Sequence, residues 1–307
     1  LGANVRKQFI TYKGGNTWMD STELPEWDAR GRDIAEGNSA ELGTAEQDLA
    51  VRDSAERGTA VRDGAVRDFV ERDSGVQDGA MRDASGIAAR LIPPGANVLI
   101  VTAVAAERDA VLRGLQGSRR FHVIAAGAGT AAAAAGTAAA LAAGSYGCVI
   151  SAGIGGGFPG RAPVGSLVVA SEMLDAALGA ETPEGFRSAA ELGFGSVSVP
   201  APGGTVQALA AALAAAGLAV STGTVLTVST ATGTAGTAAE LAARHPQAAA
   251  EAMEGHGVAV AAKALGIAAL ELRAISNPVG PRDRAAWKIK EALDALTAAA
   301  AILLEVL

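Results

Sequence analysis

The chain has 307 residues, half of them apolar and only 4% aromatic, with a net charge of -7. That is enough for one large α/β domain or two smaller ones, cored by Ala, Val, Leu and Ile. Residues 1–95 hold 12 basic and 17 acidic side chains and the remainder 13 and 15; this near-neutral second part has no basic stripe, which argues against nucleic acid as a partner. The Ala-rich run 131–143 is too short and too weakly apolar to cross a bilayer, so no membrane partner is expected. The first residues show no charged start followed by an apolar core, so no signal peptide is read there. Cys148, the single cysteine, lies in an apolar run and reads as a small core residue in a reducing, cytoplasmic setting.

From about Gly31 to Ser85 a five-residue cadence runs along the chain, clearest at Val61-Arg62-Asp63-Gly64-Ala65 and Val66-Arg67-Asp68-Phe69-Val70. Five matches neither the helical nor the strand period. A solenoid of short coils would put Glu36, Glu41, Glu46, Glu56 and Glu71 in its interior column, where unpaired carboxylates are too costly. Residues 1–95 are therefore expected to form a charged, disordered arm, with Trp18 and Trp27 leaving room for an ordered fragment near its start. A start at Leu rather than Met raises the hypothesis that the arm is an over-extended reading frame. The composition breaks at Leu91-Ile92-Pro93-Pro94-Gly95, and residues 96–307 read as a separate domain.

In that domain apolar runs alternate with Ala-rich stretches. Strands are predicted at 97–103, 121–125, 148–152, 166–171, 224–229 and 267–275. Helices are predicted at 105–115, 130–143, 206–216, 235–244 and 255–265, with a long terminal one over 284–307. Unalternating Val and Ile runs mark strands buried on both faces. Alternation with helices gives a three-layer α/β/α domain around a mostly parallel or mixed sheet.

Polar residues gather where these strands end. Glu107 follows the first, and Gly127-Ala128-Gly129-Thr130 opens a helix. Ser151–Phe158 and Ser229–Thr234 follow later strands as loops, Met253-Glu254-Gly255-His256 interrupts an Ala-rich stretch, and Ser276-Asn277-Pro278 ends the last strand. Open α/β sheets build ligand sites at such ends. Each feature also has an ordinary reading. Glu107 and Glu254 suit structural salt bridges, and His256 suits a packing or capping residue. Gly127 and Gly129 suit close helix packing rather than a phosphate cradle. His122 and His245 lack partners at ligand spacing, so no metal site is expected. Asn277 can donate and accept hydrogen bonds together, which fits an oxo-base such as hypoxanthine.

Taken in order, the motifs resemble the nucleoside phosphorylase superfamily over about Asn97 to Leu307. Within it they are similar to the nucleosidase branch that holds the methylthioadenosine/S-adenosylhomocysteine nucleosidases and the futalosine hydrolases. Val104-Ala105-Ala106-Glu107 resembles the motif ending in a water-activating Glu. Ser151–Phe158 resembles the Gly-rich loop beneath the substrate, Ala252-Met253-Glu254-Gly255 the Met-Glu motif, and Arg273-Ala274-Ile275-Ser276-Asn277 the motif ending at the residue that faces the purine. Leu178–Phe186 and the Asn277–Trp287 run are similar to segments of the futalosine hydrolases, and Asn277 stands where the adenosine-type nucleosidases carry Asp.

The resemblance implies hydrolysis of the N-glycosidic bond of a 6-oxopurine nucleoside, with release of hypoxanthine. Glu107 would activate water and Asn277 would stabilise the leaving base. Ile154, Gly155 and Thr230 would contact substrate, Met253 would pack under the ribose, and Glu254 would grip its hydroxyls. Arg282 would meet a carboxylate at the far end, shielded by Trp287. No cofactor is implied. The partner is a small-molecule nucleoside, and the chain is expected to pair as a dimer.

Overall fold

The computed structural model describes residues 7–12, 15–20, 92 and 95–307. The chain divides into two compact units, Leu1–Gly75 and Val76–Leu307. In the first unit, β1 (Lys7–Tyr12) and β2 (Gly15–Asp20) pair antiparallel, with Phe9 opposite Trp18. The five-residue cadence lies outside the described residues.

In the second unit the strands are β3 (Val98–Thr102), β4 (Phe121–Ala125), β5 (Cys148–Gly157), β6 (Leu167–Asp175), β9 (Ser198–Pro200), β10 (Val220–Thr227), β11 (Ala248–Ala252) and β12 (Ala268–Pro278). They form one sheet in the order β11-β10-β6-β12-β5-β3-β4, with β9 against β6. A separate hairpin joins β7 (Gly179–Thr182) to β8 (Gly185–Ser188). Pairing is mixed: β5 runs parallel to β3 and β12, while β6 meets β12 antiparallel. Strand β11 also pairs antiparallel with the end of β5, through Ala250↔Gly157 and Glu251↔Gly156. Five strands thereby close on one another, and the sheet continues through β3 and β4.

Helices cover both faces. On one side α1 (Ala105–Gly114) and α3 (Gly203–Ala215) pack on α6 (Ile289–Val306); on the other, α2 (Thr130–Ala143) packs on α5 (Gly255–Lys263). The remaining helix is α4 (Ala235–Arg244). The core is aliphatic, with Leu99, Ile100, Ile150, Leu167, Leu270 and Leu272 all fully buried. Burial also pushes the Cys148 thiol up to about 12, which leaves it an inert core residue.

Two expectations are corrected, and one strand falls where no element was predicted. The Gly-rich stretch after Ala152 is the second half of β5 rather than a loop. Glycine disfavours strands locally, but here β12 pairs along the whole stretch and β11 takes the other edge at Gly156 and Gly157, and a Cβ on Gly157 would press into the Ala162 carbonyl oxygen. The Ala-rich 248–252 is a buried strand, because its backbone is paired to β10 and β5. The terminal helix does not begin at Arg284: a single 3-10 turn (Arg284–Ala286), capped by the Asp283 carboxylate on the Ala285 N–H (3.1 Å), precedes the true start at Ile289.

Candidate active site

Glu107 sits at the third position of α1, where a carboxylate can turn back onto the free N–H groups of the helix start. The Ala103 and Val104 N–H groups donate to its Oε2 (3.0 and 3.2 Å), and the Ile154 N–H of β5 donates to its Oε1 (2.9 Å). The side chain is thus fixed between the end of β3 and the glycine-rich half of β5. Gly127 and Gly129, with φ of 104° and 93°, shape the turn into α2. The Gly129 N–H then points at Glu254, donating to its Oε1 at 3.1 Å, so that amide serves a carboxylate and not a phosphate. Glu254 Oε2 receives the Met253 N–H (3.2 Å).

Between the two acids lies Arg273, which the residue-type reasoning missed because an arginine in a buried strand reads as an anomaly. It is 1% exposed. Its Nε donates to Glu271 Oε1 (2.8 Å), its Nη2 to Ser151 Oγ (2.7 Å), and its Nη1 lies 3.5 Å from Glu254 Oε2. Burial works against its charge, yet Glu271, Glu254 and Glu107 together hold its pKa above the ordinary arginine value. Glu271 is fully buried, and burial pushes its carboxyl up while the bond from Arg273 pulls it down. The alternating polar pattern Glu271-x-Arg273 was the available signal: two charges spaced to share one face of a strand otherwise apolar.

Gly153 separates this cation from the candidate base. A Cβ there would stand 2.6 Å from both Glu107 Oε1 and Arg273 Nη1. Gly153→Ala is accordingly expected to cost about 1–3 kcal/mol of stability by overpacking. It should lower turnover far more than substrate binding; a thermal melt with steady-state kinetics measures both.

Asn277 reaches the site through a β-bulge. The register shifts between Ile275 and Asn277, so that Asn277 stands opposite Gly156 rather than Gly157. Bulges re-aim side chains in this way. The Ser276 hydroxyl donates to Asn277 Oδ1 (2.8 Å) and the amide Nδ2 donates to the Pro278 carbonyl (3.0 Å). Each end of the amide keeps capacity for one further bond.

The candidate residues do not all meet. Glu107, Ile154 and Glu254, with Met253 beside it, gather around Arg273 of β12 and Gly153 of β5, Gly155 backs onto the Arg273 side chain, and Asn277 stands further along β12, opposite Gly156. Thr230 is exposed in the loop after β10. Arg282 is exposed, and its guanidinium lies 5.0 Å over the Trp287 ring rather than against Asp283. Its backbone N–H donates to the Gly233 carbonyl (3.1 Å), so this segment is tied to the Ser229–Thr234 loop. His256 is a packing residue: buried, its backbone N–H donates to Thr227 Oγ1 (2.9 Å), and Nδ1 lies 3.8 Å from Asp175 Oδ2. Burial lowers its pKa, with Asp175 opposing.

A cavity of about 510 Å³ lies beside α4, lined by Phe158, Ala238, His245 and Val279 among others, and none of the clustered residues lines it. Among the described residues no group of three His, Cys, Asp or Glu is placed to hold a metal ion, and no helix is long and apolar enough to cross a membrane. Two carboxylates, an arginine and an amide around one glycine-lined strand can bind a sugar's hydroxyls, orient a water and hydrogen-bond a heterocycle.

Known proteins match this chain over its second unit. The model of the Phosphorylase superfamily matches residues 88–307. The futalosine hydrolase of Streptomyces coelicolor is 54% identical over 231 residues, covering 69% of this chain and 96% of that protein. That of Acidothermus cellulolyticus is 47% identical over 218 residues, covering 67% and 89%. Among solved structures, the 5'-methylthioadenosine/S-adenosylhomocysteine nucleosidase of Neisseria meningitidis aligns with a TM-score of 0.59 at 18% identity, covering 69% of this chain and 99% of that one. The futalosine hydrolase of Helicobacter pylori aligns at 0.57 and 17% identity, covering 69% and 96%. At such identities these two structures share the fold.

Proposed function

This chain belongs to the phosphorylase superfamily, and on that premise we propose that its second unit hydrolyses the N-glycosidic bond of futalosine, releasing hypoxanthine and dehypoxanthine futalosine. The activity is that of a nucleosidase of the futalosine route to menaquinone. By the same inference it takes a small-molecule nucleoside, needs neither nucleic acid nor membrane, and works as a homodimer in the cytoplasm. One observation carries the chemistry: two buried carboxylates, each oriented by main-chain N–H groups, flank the buried Arg273 of β12, the strand whose end sets Asn277 opposite Gly156 of β5.

As the bond stretches, positive charge grows on the ribose and negative charge on the base. Glu254 holds the ribose hydroxyls through charge-assisted hydrogen bonds, and Met253 packs beneath the ring. Glu107 takes a proton from the attacking water, using the lone pairs that Ala103, Val104 and Ile154 leave free. Asn277 offers its remaining amide hydrogen to O6 and its carbonyl to a ring N–H. It thereby stabilises the departing base where donors aimed at developing charge act most strongly. Ile154, Gly155 and Thr230 contact the substrate. Arg282 suits the carboxylate at the far end of futalosine, since its fork matches that group, with Trp287 stacked behind it.

The test is incubation of the full chain with futalosine, with and without phosphate, following hypoxanthine. Equal release in both is expected. Phosphate-dependent release with a ribose 1-phosphate product would make it a phosphorylase, and no release would refute the substrate.

A further inference from the structure

The chemistry proposed above leaves Glu271 without a task. This acid is fully buried on β12, two residues before Arg273 and on the same face of the strand. Oε1 accepts from Arg273 Nε (2.8 Å), and Oε2 has no hydrogen-bond partner among the described residues. A core carboxylate held by one bond is unfavourable, yet the surrounding chain reserves room for it. It lies against Gly255, the first residue of α5, where an added Cβ would run into both oxygens. The start of a helix favours negative charge, so this place suits the ionised acid.

Arg273 divides its bonds. Nε is engaged by Glu271 and Nη2 by Ser151 Oγ (2.7 Å). Nη1 points from the opposite edge of the guanidinium toward the two acids of the site. It lies 3.5 Å from Glu254 Oε2, and Gly153 separates it from Glu107 Oε1. This arrangement poses an electrostatic problem. Ribose gains positive charge as the glycosidic bond stretches, and Glu254 is assigned to its hydroxyls. A bare cation behind Glu254 would oppose that charge in the transition state but not in the neutral ground state. Glu271 supplies the opposite charge on the far edge of the same guanidinium. With it ionised, three carboxylates act on one arginine, and the cluster faces the sugar with surplus negative charge.

We infer that Glu271 is a positioning residue of the same site, acting through Arg273: it fixes the guanidinium by Nε and cancels that cation's field at the ribose as positive charge develops there. The inference rests on the nucleosidase activity proposed above. A neutral acceptor at position 271 would hold Nε as well, so the assignment concerns the charge and not the bond alone.

The experiment compares Glu271→Gln with the wild type. The amide keeps the shape and the acceptor for Nε and removes the charge. Its kcat on futalosine is expected to fall roughly 10- to 100-fold, the effect of one unit charge across about 6–12 Å at an effective dielectric constant of about 20. KM should change less than about threefold, since the ground state is neutral. Calorimetry with two uncleavable C-nucleosides of 9-deazahypoxanthine gives a readout that packing does not move. One carries a protonated nitrogen in place of the ribose ring oxygen, and the other is neutral. In Glu271→Gln the cationic analogue should lose roughly 10- to 100-fold in affinity and the neutral one little. Unchanged kcat, the result for an acid that carries a proton, overturns the assignment. So does an equal loss on both analogues, the result for a packing residue. Should Glu271→Gln fail to fold, Glu271→Asp decides, because it keeps the charge while disturbing the bond to Nε. The ratio of the two affinities should then stay within about threefold of the wild type, and a larger fall overturns the assignment. Absence of futalosine cleavage in the wild type would refute the substrate alone, since the two analogues are read without turnover.

Discussion

Replacing Glu107 with Gln is expected to lower turnover of futalosine by roughly 10²- to 10⁴-fold, the usual worth of a general base. An amide has the same shape but cannot take the proton from water. Its NH₂ end must also face N–H donors, whichever way it turns: Ala103 and Val104 on one side, Ile154 on the other. At least one backbone hydrogen bond is lost, costing about 1–3 kcal/mol. That is a fraction of the roughly 5–15 kcal/mol that hold a domain together, so the variant remains folded. Hypoxanthine release and a thermal melt on the same preparation separate the two effects. A fall in activity without a matching fall in folded fraction assigns the role to Glu107; undiminished turnover removes it.

The elements that the sequence announced are those whose side chains alternate between helix and strand chemistry on their own. The run Val98–Thr102 is fully buried, and 121–125, 130–143 and 235–244 lie where periodicity predicts. What escaped were elements defined by pairing. Ala248–Ala252 has strong helix propensity, and only its ladders to β10 and β5 make it a strand. The glycines of β5 have no side chains to carry a pattern, and their role emerges from what crowds them: Arg273, Glu107, the Glu251 carbonyl. The acids Glu107 and Glu254 and the amide Asn277 stood out because polar groups at strand ends are visible along the chain. Arg273 and Glu271 did not, because they sit within strands, and a charge there is intelligible only once the groups facing it are known. The bulge that turns Asn277 toward Gly156 has no mark in residue type beyond the Pro that follows it.

Replacing Arg273 with Met is expected to be the most damaging single change in the second unit. The guanidinium is the counter-ion of the fully buried Glu271 and of Glu254, and it also donates to Ser151. Removing one partner of such a group leaves carboxylates buried without compensation, a cost of about 3–5 kcal/mol. For a unit of this size that lowers the melting temperature by about 10 °C. Glu271 suffers most, since its Oε2 already has no hydrogen-bond partner and its surroundings disfavour the charge. Gly255 presses on the same carboxylate, where an added Cβ would lie 2.1 Å from Oε2, so Glu271 has no room to swing toward water. Adding Glu271→Leu to Arg273→Met removes the stranded charge and should recover much of the melting temperature. Turnover should stay low, because Glu254 still lacks the cation that fixes it against the ribose. Arg273→Lys separates charge from geometry: an ammonium can answer one carboxylate but cannot span Glu271, Ser151 and Glu254 at once. Stability should return in part and activity hardly at all. If Arg273→Met melted with the wild type, the buried cluster would not be what holds the two acids together.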